Sequence, residues 1–75
     1  MVILHRAETW KISVDGGDHD VPHFHIEGGT FCCSIAIATL EVIVGSAPPG
    51  VLRTATNWAL ANLAAIMAKW QGLNK

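Results

Sequence analysis

Charge is scarce in this chain. Only 15% of the 75 residues are Asp, Glu, Lys or Arg, and five basic residues set against six acidic ones leave a net charge of −1. Cations this few and scattered make no electrostatic footprint for a phosphate backbone, which argues against nucleic-acid binding by this chain alone. Tyrosine is absent. The only cysteines, Cys32 and Cys33, are adjacent. On a strand their side chains point to opposite faces, so they cannot bridge each other, and reduced thiols with a cytoplasmic location are expected. No apolar run approaches the roughly 18 residues of a membrane span. The first ten residues hold only the apolar run Met1 to Leu4 before His5 and Arg6, short of the 7–15 or so residues of a signal-peptide core. Neither membrane insertion nor export is expected. A glycine-rich phosphate loop is also missing.

Apolar residues, in contrast, are plentiful, at 51% of the chain. Seventy-five residues make a single domain, and a domain this small buries only about 60% of its surface. One small sheet with one helix cannot cover every apolar residue present, so a homo-oligomer, a small partner protein, or both are expected to cover the remainder.

Hydrophobic periodicity gives an α+β fold: a small antiparallel meander of about four strands over residues 9–44, with one long C-terminal helix over residues 51–71 packed on one face. Residues 1–8 are left loosely ordered or folded back over the helix. Thr9 to Asp15 alternates, with Trp10, Ile12 and Val14 apolar and Lys11 and Ser13 polar, as a half-buried strand does. Gly16 to Asp20 is a polar loop, and Val21-Pro22 enters the second strand. Gly28-Gly29 has the chemistry of a two-residue hairpin turn. That turn opposes Ile26 to Phe31, His25 to Cys32, Phe24 to Cys33 and His23 to Ser34. A second turn at Ala38-Thr39, whose chemistry is poor, opposes Ile37 to Leu40, Ile35 to Val42 and Cys33 to Val44. Opposed residues share a face, so Phe24, Ile26, Ile35, Ile37, Val42 and Val44 fall on the inner face. His23, His25, Glu27, Cys32 and Ser34 fall on the outer one.

The most informative segment is Asp18 to Ile26, which holds three of the chain's four histidines, His19, His23 and His25. His23 and His25 are alternate strand residues about 6.6 Å apart, and opposed strand residues have Cβ atoms about 4.5–5.5 Å apart. Two imidazoles joined by His19 from the loop or by Cys32 across the hairpin form a candidate site for a zinc-like divalent metal. Glu27 is a weaker candidate. A solvated pair of surface histidines explains the same pattern without a ligand.

The helix carries Leu52, Ala55, Ala59, Leu63, Ile66 and Trp70 at three- and four-residue spacing, the stripe that packs on a sheet. Trp58, Ala61 and Ala65 fall off that stripe and form a candidate interface.

The run Asp18-His19-Asp20-Val21-Pro22-His23-Phe24-His25-Ile26 carries a family likeness. So do Thr39 to Ile43 with Gly45, and Pro48 followed at ten residues by Trp58 and twelve later by Trp70. Over about residues 9–71 the chain resembles the domain of unknown function 4160 family, whose signature is His-Asn-Pro-Pro-His-Phe-His. The resemblance implies a small bacterial protein, often encoded beside a member of the domain of unknown function 2442 family in a toxin–antitoxin-like pair. Several positions depart from the family pattern. Val21 replaces a proline, Pro49 and Gly50 replace basic residues, Asn57 a glutamate, Asn62 a histidine and Cys32 a charged residue. His19, His23, His25, Trp58 and Trp70 match.

Two function classes follow. One is a protein-binding module of a two-protein system, docking through the helix flank or a free sheet edge. The other is a metal-dependent, zinc-type hydrolase or ribonuclease-like enzyme using His19, His23 and His25. The first is favoured, because the helix has lost the family's polar residues and kept its apolar surface.

Overall fold

The computed structural model of the protein describes residues 1–16 and 21–74. Five strands form one antiparallel sheet in chain order: β1 (Val2–Arg6), β2 (Trp10–Val14), β3 (His23–Gly28), β4 (Cys32–Ala36) and β5 (Val42–Ser46). Two helices follow, α1 (Pro49–Ala61) and α2 (Leu63–Leu73). The fold is α+β with an antiparallel meander, as expected, but it has one strand more and its helix is broken.

The additional strand, β1, lies within residues 1–8, a segment expected to be loosely ordered or folded back over the helix. Val2 lies opposite Val14 and Ile3 opposite Ser13, yet His5 lies opposite Ile12, so Leu4 is an extra residue in the ladder. A single inserted residue breaks the period of two by which a strand is recognised.

The β3–β4 turn is also displaced. The Gly28 N–H donates to the Phe31 carbonyl at 2.9 Å, which makes Gly29-Thr30 the turn. The ladder then pairs His23 with Ala36, Phe24 with Ile35, His25 with Ser34, Ile26 with Cys33 and Glu27 with Cys32. A slip of two residues from the expected register keeps every side chain on its face and changes every partner. The Phe31 ring decides the register, because it lies over Gly28, where a Cβ would collide with it.

The β4–β5 turn is longer than Ala38-Thr39. Leu40 adopts φ 60° and donates its N–H to the Ala36 carbonyl at 2.8 Å. Ile35 pairs with Val42 as expected, but a bulge then inserts Ile43, and Val44 faces Ser34 instead of Cys33. Val44 is thereby turned to the outer face. Gly45 faces Cys33 with φ 80°. Its backbone presses on the Cys32 carbonyl too closely for any Cβ.

The core lies between the sheet's inner face and the helices. Ile12, Val14, Phe24, Ile26, Ala55, Ala59 and Ile66 are fully buried, with Cys33, Ile35 and Ile37 nearly so. Each large apolar side chain buried this way contributes about 1.5–3 kcal/mol. The expected burial of Phe24, Ile26, Ile35 and Ile37 is observed, with His23 and His25 on the opposite face. Val42 and Val44, also expected inside, are 44% and 65% exposed.

Pro49 opens α1 at its first position, where a missing N–H costs nothing and φ is already helical. The expected single helix stops at Asn62. Its side-chain amide donates to the Trp58 carbonyl at 2.8 Å and its own N–H to the Ala59 carbonyl at 3.0 Å. An asparagine that competes for the carbonyl four residues back interrupts the ladder, and α2 restarts one residue later. Among the described residues, the buried Trp70 indole N–H has no partner, a cost of about 1–3 kcal/mol. No helix among the described residues is long and apolar enough to cross a membrane.

Candidate functional site

On the face opposite the helices, strand register sets Ile3, Ser13, His25, Ser34 and Val44 in one row across all five strands. Arg6, Lys11, Glu27, Cys32 and Ser46 form the next. The second row is ordinary surface chemistry. Lys11 and Glu27 approach to 3.6 Å in the open, a pair worth at most about 1 kcal/mol.

The first row is organised around His25. Its Nε2 lies 3.3 Å from Asp15 Oδ2, and its Nδ1 lies 3.1 Å from Ser34 Oγ. An ionised carboxylate accepts only, so the neutral imidazole places its proton on Nε2 and leaves Nδ1 to accept the Ser34 hydroxyl. Ser13, between Ile3 and His25, is 1% exposed. A shallow depression of about 110 Å³ opens beside the row, lined by His25, Glu27, Cys32, Cys33, Ser34, Val44 and Gly45.

His23 is not the solvated surface residue that its position in the sequence suggests. It is 8% exposed, its Nδ1 donates to the Val21 carbonyl at 2.7 Å, and its ring meets that of His25 edge-on at 4.9 Å. Cys32 lies opposite Glu27, two pairs along from its expected place beside His25, and is exposed. Cys33 is buried. Burial first, and the neighbouring Cys32 second, push the Cys33 thiol above its ordinary pKa. His19 lies outside the described residues. Among the described residues, no group of three or more His, Cys, Asp or Glu side chains is placed to hold a metal ion.

The fourth histidine has a different role. His5 stacks on Trp58 at 5.0 Å and lies 5.9 Å from Trp10, fastening β1 to α1. Trp58 is therefore half-buried against the chain's own first strand, while Ala61 and Ala65 stay exposed. Asp15 was the site residue least visible in the sequence. It ends an alternating strand, and continuing the period of two past Val14 puts it on the face of Ser13 and His25.

The family described as domain of unknown function (DUF4160) matches residues 11–71. The chain belongs to that family. No curated protein and no solved structure matches it.

Proposed function

We propose that this protein is a binding module of a two-protein, toxin–antitoxin-like system, and that it docks its partner by strand addition along β5. One observation carries the reading. All five residues of β5 are exposed, and Val42, Ile43 and Val44 alone present three large apolar side chains at 44%, 48% and 65% exposure. Sheets usually guard an edge with charge, proline or a covering segment. Val42–Ser46 contains neither charge nor proline, and the bulge at Ile43 leaves the apolar side chains uncovered. An added strand would satisfy the outward-facing amides and cover these side chains together. Ala61, Ala65 and the 56% exposed Leu60 offer a second apolar surface on the helices, suited to a second copy of the chain.

Co-expression with a protein of the domain of unknown function 2442 family tests the reading. A stable complex is expected on size exclusion with light scattering. Val44→Lys should abolish it while leaving the unfolding midpoint nearly unchanged, and Ala65→Glu should leave it intact. No complex, or a complex that survives Val44→Lys, would refute docking through β5. A dimer of the chain alone, lost with Ala65→Glu, would assign the helix surface to self-association.

A further inference from the structure

The geometry points to Ser34 as an activated nucleophile, with His25 as its general base and Asp15 as the group that orients His25, acting on small activated acyl esters. Nucleophilic serine requires three things: a base within hydrogen-bond reach, an orienting group on the base's other nitrogen, and room for a substrate. The 3.1 Å contact to His25 Nδ1 supplies the first. The 3.3 Å contact from Nε2 to Asp15 supplies the second. The depression reaching from His25 and Ser34 to Val44 and Gly45 supplies the third.

The protons are consistent with this assignment. With the Nε2 proton held by Asp15, Nδ1 has its lone pair aimed at the Ser34 hydroxyl. Catalytic triads more often use the two ring nitrogens the other way round, but the logic of base and orienter is unchanged. In acyl transfer, Ser34 Oγ forms a bond to the ester carbonyl carbon as the carbon–oxygen bond to the leaving group breaks. The hydroxyl proton passes to Nδ1 and from there to the departing phenolate. Water then attacks acyl-Ser34 and gives a proton to Nδ1, which returns it to Ser34 Oγ as the carboxylic acid leaves.

The backbone restricts the substrate class. Amides of a paired strand lie in the sheet plane and bond to neighbouring strands, so among the described residues no strand amide is aimed at an oxyanion above Ser34. An oxyanion donor is worth about 10²–10³ in rate. Without one, only esters with good leaving groups, such as aryl esters, fall within reach. Peptides and alkyl amides do not. The depression is shallow, which likewise limits the acyl group to a short one.

The test uses the intact protein with p-nitrophenyl acetate and, in parallel, a fluorophosphonate probe that reacts with activated hydroxyls. The Cys32→Ala background removes the exposed thiol that would compete for acetate. One acyl or phosphonyl group per chain is expected, mapped to Ser34 by peptide mass spectrometry. It should be lost in Ser34→Ala and slowed at least about tenfold in His25→Asn and Asp15→Asn. Urea-unfolded protein should not be labelled at Ser34, which separates folded-state activation from ordinary serine chemistry. Labelling only at lysine or the terminal amine, or at Ser34 equally in folded and unfolded protein, would overturn the assignment. So would failure of either reagent to modify a folded wild-type chain. Circular dichroism of each variant shows whether a loss reflects unfolding, and if Ser34→Ala does not fold, the comparison of native with unfolded wild type still decides.

Discussion

Strands β3 and β5 are both short and rich in apolar residues, yet one is the centre of the core and the other lies open. In β3 the alternate residues Phe24 and Ile26 are fully buried, and His23 and His25 occupy the other face. In β5 Val42, Ile43 and Val44 are consecutive, and all are exposed. The difference lies in pattern and position more than in hydrophobicity. A strand with one apolar face satisfies one layer of helix. A continuous apolar strand needs cover on both faces and along its edge, and this chain has helices on only one side.

The comparison can be broken most severely at the core. Phe24→Ala should cost about 3–5 kcal/mol, which in a chain this short removes much of the roughly 5–15 kcal/mol of a typical native state. Val44→Ala should change stability by less than about 0.5 kcal/mol. Urea denaturation of both variants checks the contrast, and equal losses would mean that β5 is as structural as β3.

A smaller effect is expected at Gly45, the one β5 position whose backbone is tightly constrained. Gly45→Ala puts a Cβ into the Cys32 carbonyl at φ 80°, and should cost about 1–3 kcal/mol. Gly50→Ala, in the first turn of α1 with open space around it, should be neutral or slightly stabilising. The pair separates a constrained glycine from a permissive one by the same measurement.

The smallest effect concerns the two thiols of β4. Cys33 holds its proton above the ordinary range because it is buried beside Cys32. Below the unfolded-state pKa of about 8.5 both folded and unfolded chains keep the proton, and stability does not depend on this group. Above it the unfolded chain loses the proton while the native chain retains it, so stability should fall as pH rises from about 8.5 towards the raised native value. Unfolding free energies at pH 7.5 and 9.5 should differ in wild type, and differ less in Cys33→Ala. Native iodoacetamide labelling should modify Cys32 and spare Cys33.

Much of this was legible in the residues, and the exceptions share a cause. Period-two alternation in Thr9 to Asp15 and in His23 to Glu27 located β2, β3 and their faces correctly. Each local reading failed where one residue was inserted or one side chain competed with the backbone. Leu4 hid β1, Ile43 turned Val44 outward, Phe31 moved the hairpin by two residues, and Asn62 split the helix. From its spacing alone, the histidine segment reads as a candidate metal site, and the structure places His23 and His25 side by side on one face. The contacts of His25 with Ser34 and Asp15 are not legible there, because they depend on a register that brings distant strands together.

By itself, the sequence determined the α+β class, the burial of Phe24, Ile26, Ile35 and Ile37, the face that His23 and His25 occupy, and membership of a family without a known activity. These follow from composition and from side-chain periodicity, which are local properties of the chain. Only the tertiary structure decided that Asp15 and Ser34 meet His25, that Trp58 stacks on His5, and that β5 is a bare apolar edge. Those depend on which strand stands beside which, and at what register. The energies that choose a register are contacts between residues distant in the chain, and such contacts leave no periodic trace in the order of amino acids.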